Sequence, residues 1–290
     1  MKLTTIASLF GASFVLTGCG GGGGGGGGGS STGGADAALN YAPVFADGPT
    51  DTTLASVDGE GLTGVMSQAD FSAGSVSTRL RSIKVRLSAD GNTAFLTLDG
   101  ATQSLPVTIM QSGGGQFGNV PSNVLQFTAA NGTHVLVSYS GGSGASGFGA
   151  FGQIGIETPI TELPTGDVTY SGSWGGQAYG ASNNFADSGV ISGTMSITAN
   201  FDSGAVHGTF NGSVNAGDIG DFSGNINGMT SGNGVAASMD ITSGDFTGSM
   251  PVAAKTYGFD ASVLAGAFAG SIESVDSGRT YATTGQFSLD

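Results

Sequence analysis

Two histidines, a pair of aspartates at matching repeat positions and a few tyrosines are the side chains whose types could do chemistry in this chain. His134 and His207 are the only histidines. Each sits in strand-like sequence among Thr, Gly and Val, and reads first as a barrel-wall or surface residue. Axial haem ligation by one of them, or by a tyrosine such as Tyr170 or Tyr257, is the chemistry open to such residues, but no spacing selects one. Asp221 and Asp245 occupy the outward parity of repeated strands, where carboxylates solvate a surface rather than form a catalytic pair. Gly59-Glu60-Gly61-Leu62-Thr63-Gly64 and Gly142-Ser143-Gly144-Ala145-Ser146-Gly147 fit Gly-x-Gly-x-x-Gly. Neither opens a helical pattern, and the first lacks an acid about 20 residues on, as a dinucleotide site requires. Gly29-Ser30-Ser31-Thr32-Gly33 fits Gly-x-Ser-x-Gly, yet no strand precedes it and no helix follows, so it is no nucleophile elbow. Ser-x-x-Lys, His-Glu-x-x-His and EF-hand patterns do not occur. The expectation is a protein that is not an enzyme, with no catalytic residues, no metal site and no cofactor.

Cys19 is the one cysteine. It follows Leu16-Thr17-Gly18 and precedes ten glycines. Upstream lie Met1, Lys2 and a mostly apolar stretch from Leu3 to Leu16. A charged start, a short apolar core and a small-residue cleavage site make a secretory signal. The stretch is too short to span a bilayer as a helix, which takes about 20 residues. Small residues before a cysteine at the end of such a core have the form of a bacterial lipobox. Residues 1–18 are thus expected to be a lipoprotein signal peptide and Cys19 the lipidation site, acylated on thiol and amino group. The chain would be anchored to a membrane, not spanning it. With one cysteine, no intramolecular disulfide can form. Gly20 rather than Asp follows Cys19, which permits sorting to the outer membrane.

The chain has 290 residues and a formal net charge of -14. An acidic surface repels nucleic acid and anionic headgroups and suits a basic partner. Only three Lys, four Arg and four Glu occur beside 56 Gly and 17 Phe. That composition disfavours helices and favours strands joined by tight turns. The aromatic content supplies a core that a disordered chain lacks. The fold class is therefore all-β.

Residues 19–40 form a lipidated cysteine and a Gly-rich tether. Such a segment spans roughly 25 Å. Residues 41–156 read as a β-rich unit with strands at 80–87, 92–99, 102–110, 124–128 and 133–139. Asp90-Gly91-Asn92, Asp99-Gly100 and Asn131-Gly132 mark its hairpin turns. Residues 112–115 and 141–147 read as loops. Residues 157–166, with Pro159, Pro164 and Gly166, read as a linker. Residues 167–290 carry a repeat, Gly-x-Phe-x-Gly, centred on Phe210, Phe222, Phe246 and Phe268, with a truncated copy at Phe287 and a Met195 variant. Positions i, i+2 and i+4 of a strand share a face. Each Phe thus lies between two glycines on one face, which suits a crowded concave interior and lets the strand bend. Repeated around a closed sheet, the pattern fills a small soluble barrel. Its eight strands are expected at 167–174, 190–201, 205–214, 219–227, 235–242, 244–250, 263–273 and 279–289. A filled interior would leave ligand contacts to loops at 175–188, 228–235 and 252–262.

Lipobox, glycine tether, β-rich segment and a C-terminal barrel written in Gly-x-Phe-x-Gly strands, opened by Tyr170-Ser171-Gly172-Ser173-Trp174, resemble the transferrin-binding-protein-B-like surface lipoproteins. The resemblance implies an N-terminal β-rich handle domain followed by a small eight-stranded antiparallel β-barrel. It implies an outer-membrane lipoprotein exposed at the cell surface that binds a host protein or a haem or iron source, with an outer-membrane transporter as a possible partner. It carries over no binding residue, and the ligand-binding residues stay unknown. The alternative is a structural or adhesive surface lipoprotein without small-molecule cargo.

Overall fold

The computed structural model describes residues 61–72, 74–88, 93–110, 123–131, 134–143, 146–180 and 187–290. The signal peptide, Cys19 and the tether lie outside them. Fifteen strands among the described residues form two closed barrels. The first consists of β1 (Leu62–Ser72), β2 (Ser75–Leu87), β3 (Thr93–Leu98), β4 (Ala101–Met110), β5 (Leu125–Asn131), β6 (His134–Ser143) and β7 (Ser146–Gly155). It closes where β1 pairs antiparallel with β7. The second consists of β8 (Asp167–Gly180), β9 (Gly189–Asn200), β10 (Ala205–Asn215), β11 (Ile219–Ser231), β12 (Gly234–Gly244), β13 (Phe246–Tyr257), β14 (Val263–Ser274) and β15 (Thr280–Leu289). All its pairs are antiparallel, and β15 closes on β8.

The handle-like segment is thus itself a barrel. In β2 the alternation seen in sequence holds: Ile83 and Val85 are buried while Lys84 and Arg86 are exposed. Asp99 (φ 46°) and Gly100 (φ 89°) form the two-residue turn between β3 and β4, the left-handed pair a tight hairpin needs. β1 and β7 are not among the strands expected from the sequence. β1 buries residues on both faces, because one face meets the barrel interior and the other meets the second barrel. Residues 141–147, expected as a loop, are mostly the ends of β6 and β7. β4 and β5 are parallel neighbours, an arrangement a tight hairpin cannot make.

In the second barrel every repeat phenylalanine faces inward and is buried: Phe210, Phe222, Phe246, Phe268 and Phe287, with Tyr170, Trp174, Met195 and Tyr281. The register places rings opposite glycines. Phe210 pairs with Gly224, Phe222 with Gly212 on one side and Gly244 on the other, and Phe268 with Gly285. A Cβ on Gly212 would strike the rings of Trp174 and Phe222; one on Gly285 would strike Phe268. The glycine between rings is therefore the space the neighbouring ring fills. Ring centroids run Phe268–Trp174 (5.3 Å), Trp174–Phe222 (6.0 Å), Phe222–Phe246 (6.1 Å) and Phe246–Tyr281 (6.3 Å). These are aromatic contact distances, and they make the interior a packed ladder. Trp174 Nε1 donates to the Thr194 and Asn211 carbonyls, each at 3.2 Å.

The strands overrun the loops expected from sequence. β8 continues to Gly180 and β11 to Ser231, and β12 starts at Gly234. β13 reaches Tyr257, where Gly258 (φ 80°) and a 3-10 turn, Phe259–Ala261, reverse the chain. The glycine-rich, weakly alternating ends of these strands read as loops in sequence, but closure of the barrel supplies their partners.

The barrels dock side by side. Ser67 Oγ donates to the Gly285 carbonyl (3.0 Å), Thr78 Oγ1 to Gly270 (3.0 Å), and Tyr257 OH to Thr63 (3.3 Å). Phe71 meets Tyr179 edge-on at 5.1 Å. Glu157, between the barrels, accepts from Thr63 Oγ1 (2.6 Å) and Asn233 Nδ2 (2.9 Å) and pairs with Lys255 Nζ at 3.0 Å. Residues 159–162 hold the 3-10 turn Ile160–Glu162.

Candidate functional site

Most sequence candidates turn out to be structural. His134 is fully buried between the barrels, stacked on Tyr257 at 5.7 Å, with Nε2 3.0 Å from Ser288 Oγ. Burial lowers its pKa from 6.5 to about 4, so the ring is neutral at pH 7. A buried neutral histidine penalises acid. The unfolded chain takes a proton below pH 6.5 that the folded protein refuses until about pH 4. Stability should be unaffected above pH 6.5, fall between 6.5 and 4, and level off below, a loss of about 3 kcal/mol from this group. Urea midpoints across pH 4–7 should show that extra slope in the wild type and lack it in His134→Asn, which subtracts the carboxylates common to both.

Tyr170 OH donates to the Ala261 carbonyl at 2.8 Å, and burial raises its pKa to about 12. Burial, and then Glu157, also push Tyr257 well above the usual range. Both hydroxyls are spent on backbone carbonyls, and neither is offered to a haem. His207 is exposed on β10. Asp221 and Asp245 are exposed and linked through backbone: Asp245 Oδ2 accepts from the Asp221 N–H at 2.8 Å. That bond fixes a turn and makes no acid–base pair. Gly61–Gly64 opens β1, and the second glycine pattern falls on the β6–β7 hairpin. No group of three His, Cys, Asp or Glu among the described residues could hold a metal ion. Cys19 lies outside the described residues.

One end of the second barrel draws together what the sequence scatters. The turns after β10, β12 and β14 meet there, with Asp187 before β9. Tyr281, at the end of the aromatic ladder, donates to Asp218 Oδ2 (2.9 Å), and the Asp218 N–H donates back to the Tyr281 oxygen (2.8 Å). Ser277 Oγ donates to the same carboxylate at 2.6 Å, and Arg279 lies 4.0 Å from Asp218 and 3.9 Å from Asp187. The Ser277 hydrogen bond, first of several causes, holds the Asp218 carboxyl below its ordinary pKa. The Val275 N–H donates to the Asp245 carbonyl and the Asp245 N–H to Asp221. The turns are therefore fixed to the barrel and to each other. Around them stand Asp221, Asp245, Glu273 and Asp276, all exposed. Two aliphatic side chains break the acidic rim: Ile219 is 78% exposed and Val275 62%. Fixed turns, an acidic rim and two exposed apolar side chains make this mouth the candidate site.

This cluster was not legible in the sequence. Asp218 and Ser277 stand 59 residues apart, and only barrel closure carries their turns to the same mouth. Charge was a partial signal: residues 157–290 carry 13 Asp+Glu and 2 Lys+Arg, against 3 and 4 in residues 61–156.

A family model described as the C-lobe and N-lobe beta barrels of Tf-binding protein B matches residues 163–288, the whole second barrel but its last strand end. The fold is transferrin-binding protein B-like. Among solved structures, a tryptophan-to-alanine mutant of the vaccine antigen transferrin binding protein B from Haemophilus parasuis matches 79% of this chain at 16% identity, with a TM-score of 0.39. This chain spans 45% of that protein's length. A DUF3598-family protein of unknown function from Nostoc punctiforme matches 80% of this chain and 96% of its own at 10% identity, with a TM-score of 0.25. No curated protein sequence matches the chain. In this transferrin-binding protein B-like barrel, the family match falls on the strands that carry the Phe–Gly register and the acidic mouth.

Proposed function

We propose that this protein is a lipid-anchored outer-membrane lipoprotein that binds a protein ligand at the cell surface and does no catalysis. The observation that carries the reading is the filled aromatic interior of the second barrel. A barrel with no room inside must bind with its outside, and the mouth bearing Ile219 and Val275 is the candidate face, Ile160 and Met229 being the other exposed large apolar side chains among the described residues. Its acidic rim suits a ligand with a basic face, drawn by complementary charge. The family whose model matches the second barrel is named for Tf binding; by that likeness, the ligand here is a host protein or a haem or iron source, captured for nutrient acquisition. An outer-membrane transporter would receive such cargo. The Cys19 lipidation and the 19–40 tether supply the attachment, and the acidic surface sets nucleic acid aside.

Protease treatment of intact cells tests the reading, with lysed cells as the control. Loss of the protein from intact cells is the expected result. Protection until lysis would place it in the periplasm and end the receptor reading. Surface exposure combined with altered cell attachment on gene deletion, and no saturable binding of a host protein, would favour the adhesive alternative.

A further inference from the structure

The two barrels keep separate cores, one inside β1–β7 and the other inside β8–β15. The seam between them is thinner than either. Its apolar part, among the described residues, is Ala69, Phe71 and Val76 against Tyr179 and Ala282, with Tyr257, Val263 and Ala265 further along. Single hydrogen bonds from Ser67, Thr78 and Tyr257 and the Glu157–Lys255 pair add to it. Parting the barrels would break these contacts and leave both cores whole. His134 stands in this seam and in neither core. Val135 and Val137 fill the first barrel, so His134 has the outward parity of β6. There it stacks on Tyr257 and meets Ser288 Oγ, both of the second barrel. The surrounding elements bring it no compensating charge. β5 and β7, its neighbours in the sheet, carry no ionisable side chain. β13 carries Lys255, which is neutralised by Glu157 at 3.0 Å, and Asp290, just past β15, is exposed. Burial lowers the His134 pKa, and no carboxylate raises it back.

We propose that the seam is an acid-sensitive latch, in which a proton on His134 parts the two barrels while each keeps its own core. An imidazolium buried in the seam is stripped of its hydration. Undocking returns it to water and opens neither barrel. The sign follows from linkage. The parted form takes the proton near the ordinary pKa of 6.5, whereas the docked form refuses it until about pH 4, so acid favours the parted form. Between pH 7 and pH 5 the ratio of parted to docked molecules should rise roughly 20-fold. Once parted, Glu157 loses Thr63, and residues 157–166 become the joint between the barrels. The latch is independent of which ligand the protein holds.

Single-molecule energy transfer across the seam tests this. The full chain carries Cys19→Ser, with dyes on Ser82→Cys of β2 and Thr247→Cys of β13, both exposed positions. The expected result is a low-transfer population that grows roughly 20-fold relative to the docked one between pH 7 and pH 5 and reverses on return to pH 7. The same chain with His134→Asn should lack that rise, which subtracts the carboxylates common to both. The near-ultraviolet circular dichroism of Trp174, buried in the second barrel, should hold throughout. A rise that is equal in the variant, or no rise with His134 present, overturns the latch. Loss of the Trp174 signal in step with parting also overturns it, because the second barrel would then be unfolding. If His134→Asn does not fold, His134→Gln takes its place, and the response of the chain with His134 still decides whether the seam opens.

Discussion

Phe268→Ala should destabilise the second barrel by roughly 3–5 kcal/mol, the range for removing a fully buried phenylalanine. The expected readout is a fall in melting temperature on the order of 10 °C, with a matching fall in the urea midpoint. Phe268 is completely buried and meets Trp174 edge-on at 5.3 Å. Opposite it stands Gly285, whose missing side chain makes the space the ring occupies. On that side the neighbouring strand has no side chain to move into the void, while Val252 and Trp174 line the others. The glycine side of the cavity cannot relax by a change of rotamer, which argues for a cost in the upper part of the range. The reciprocal change, Gly285→Ala, would set a methyl against the Phe268 ring and within 2.5 Å of the Gly175 carbonyl. An unchanged melting temperature in Phe268→Ala would show that the ladder does not fill the barrel, and the argument that binding takes place outside would lose its foundation.

Replacing Ile219 and Val275 together by serine should cut ligand binding at least tenfold while leaving the melting temperature within about a degree. A few residues near the centre of a protein interface carry most of its energy, and truncating one of them costs more than about 1 kcal/mol. Both side chains stand largely in solvent, so their removal costs the fold little. The measurement is the amount of host serum protein retained on the immobilised chain, wild type against variant. Retention should also fall as salt rises, because an acidic rim recruits a basic partner through screened charge. Equal retention by variant and wild type would move the site away from this mouth and make the first barrel the better candidate.

The Phe–Gly repeat was readable because its determinant is local. Side-chain direction in a strand alternates with period two, so Gly208-Thr209-Phe210-Asn211-Gly212 states by itself which residues share a face. Phe210, Phe222, Phe246, Phe268 and Phe287 all face the core accordingly. The all-β class followed from composition for a similar reason, since few residues here favour a helix. The first barrel was less legible. β1 is buried on both faces by partners from two different barrels, so it lacks the alternation of a half-exposed strand. The parallel pairing of β4 with β5 leaves no turn signal at all.

Which side chains point together along each strand follows from residue order alone, and with it the fold class and the inward ring ladder. Which distant residues meet depends on how the strands close and how the barrels dock. His134 becomes a buried neutral ring because Tyr257 and Ser288, more than a hundred residues away, close over it. Asp218 joins Ser277 and Tyr281 because strand order and closure bring their turns to one mouth. Those environments depend on contacts between barrels and across a barrel end, and no period within a strand encodes a neighbour that arrives from another part of the chain.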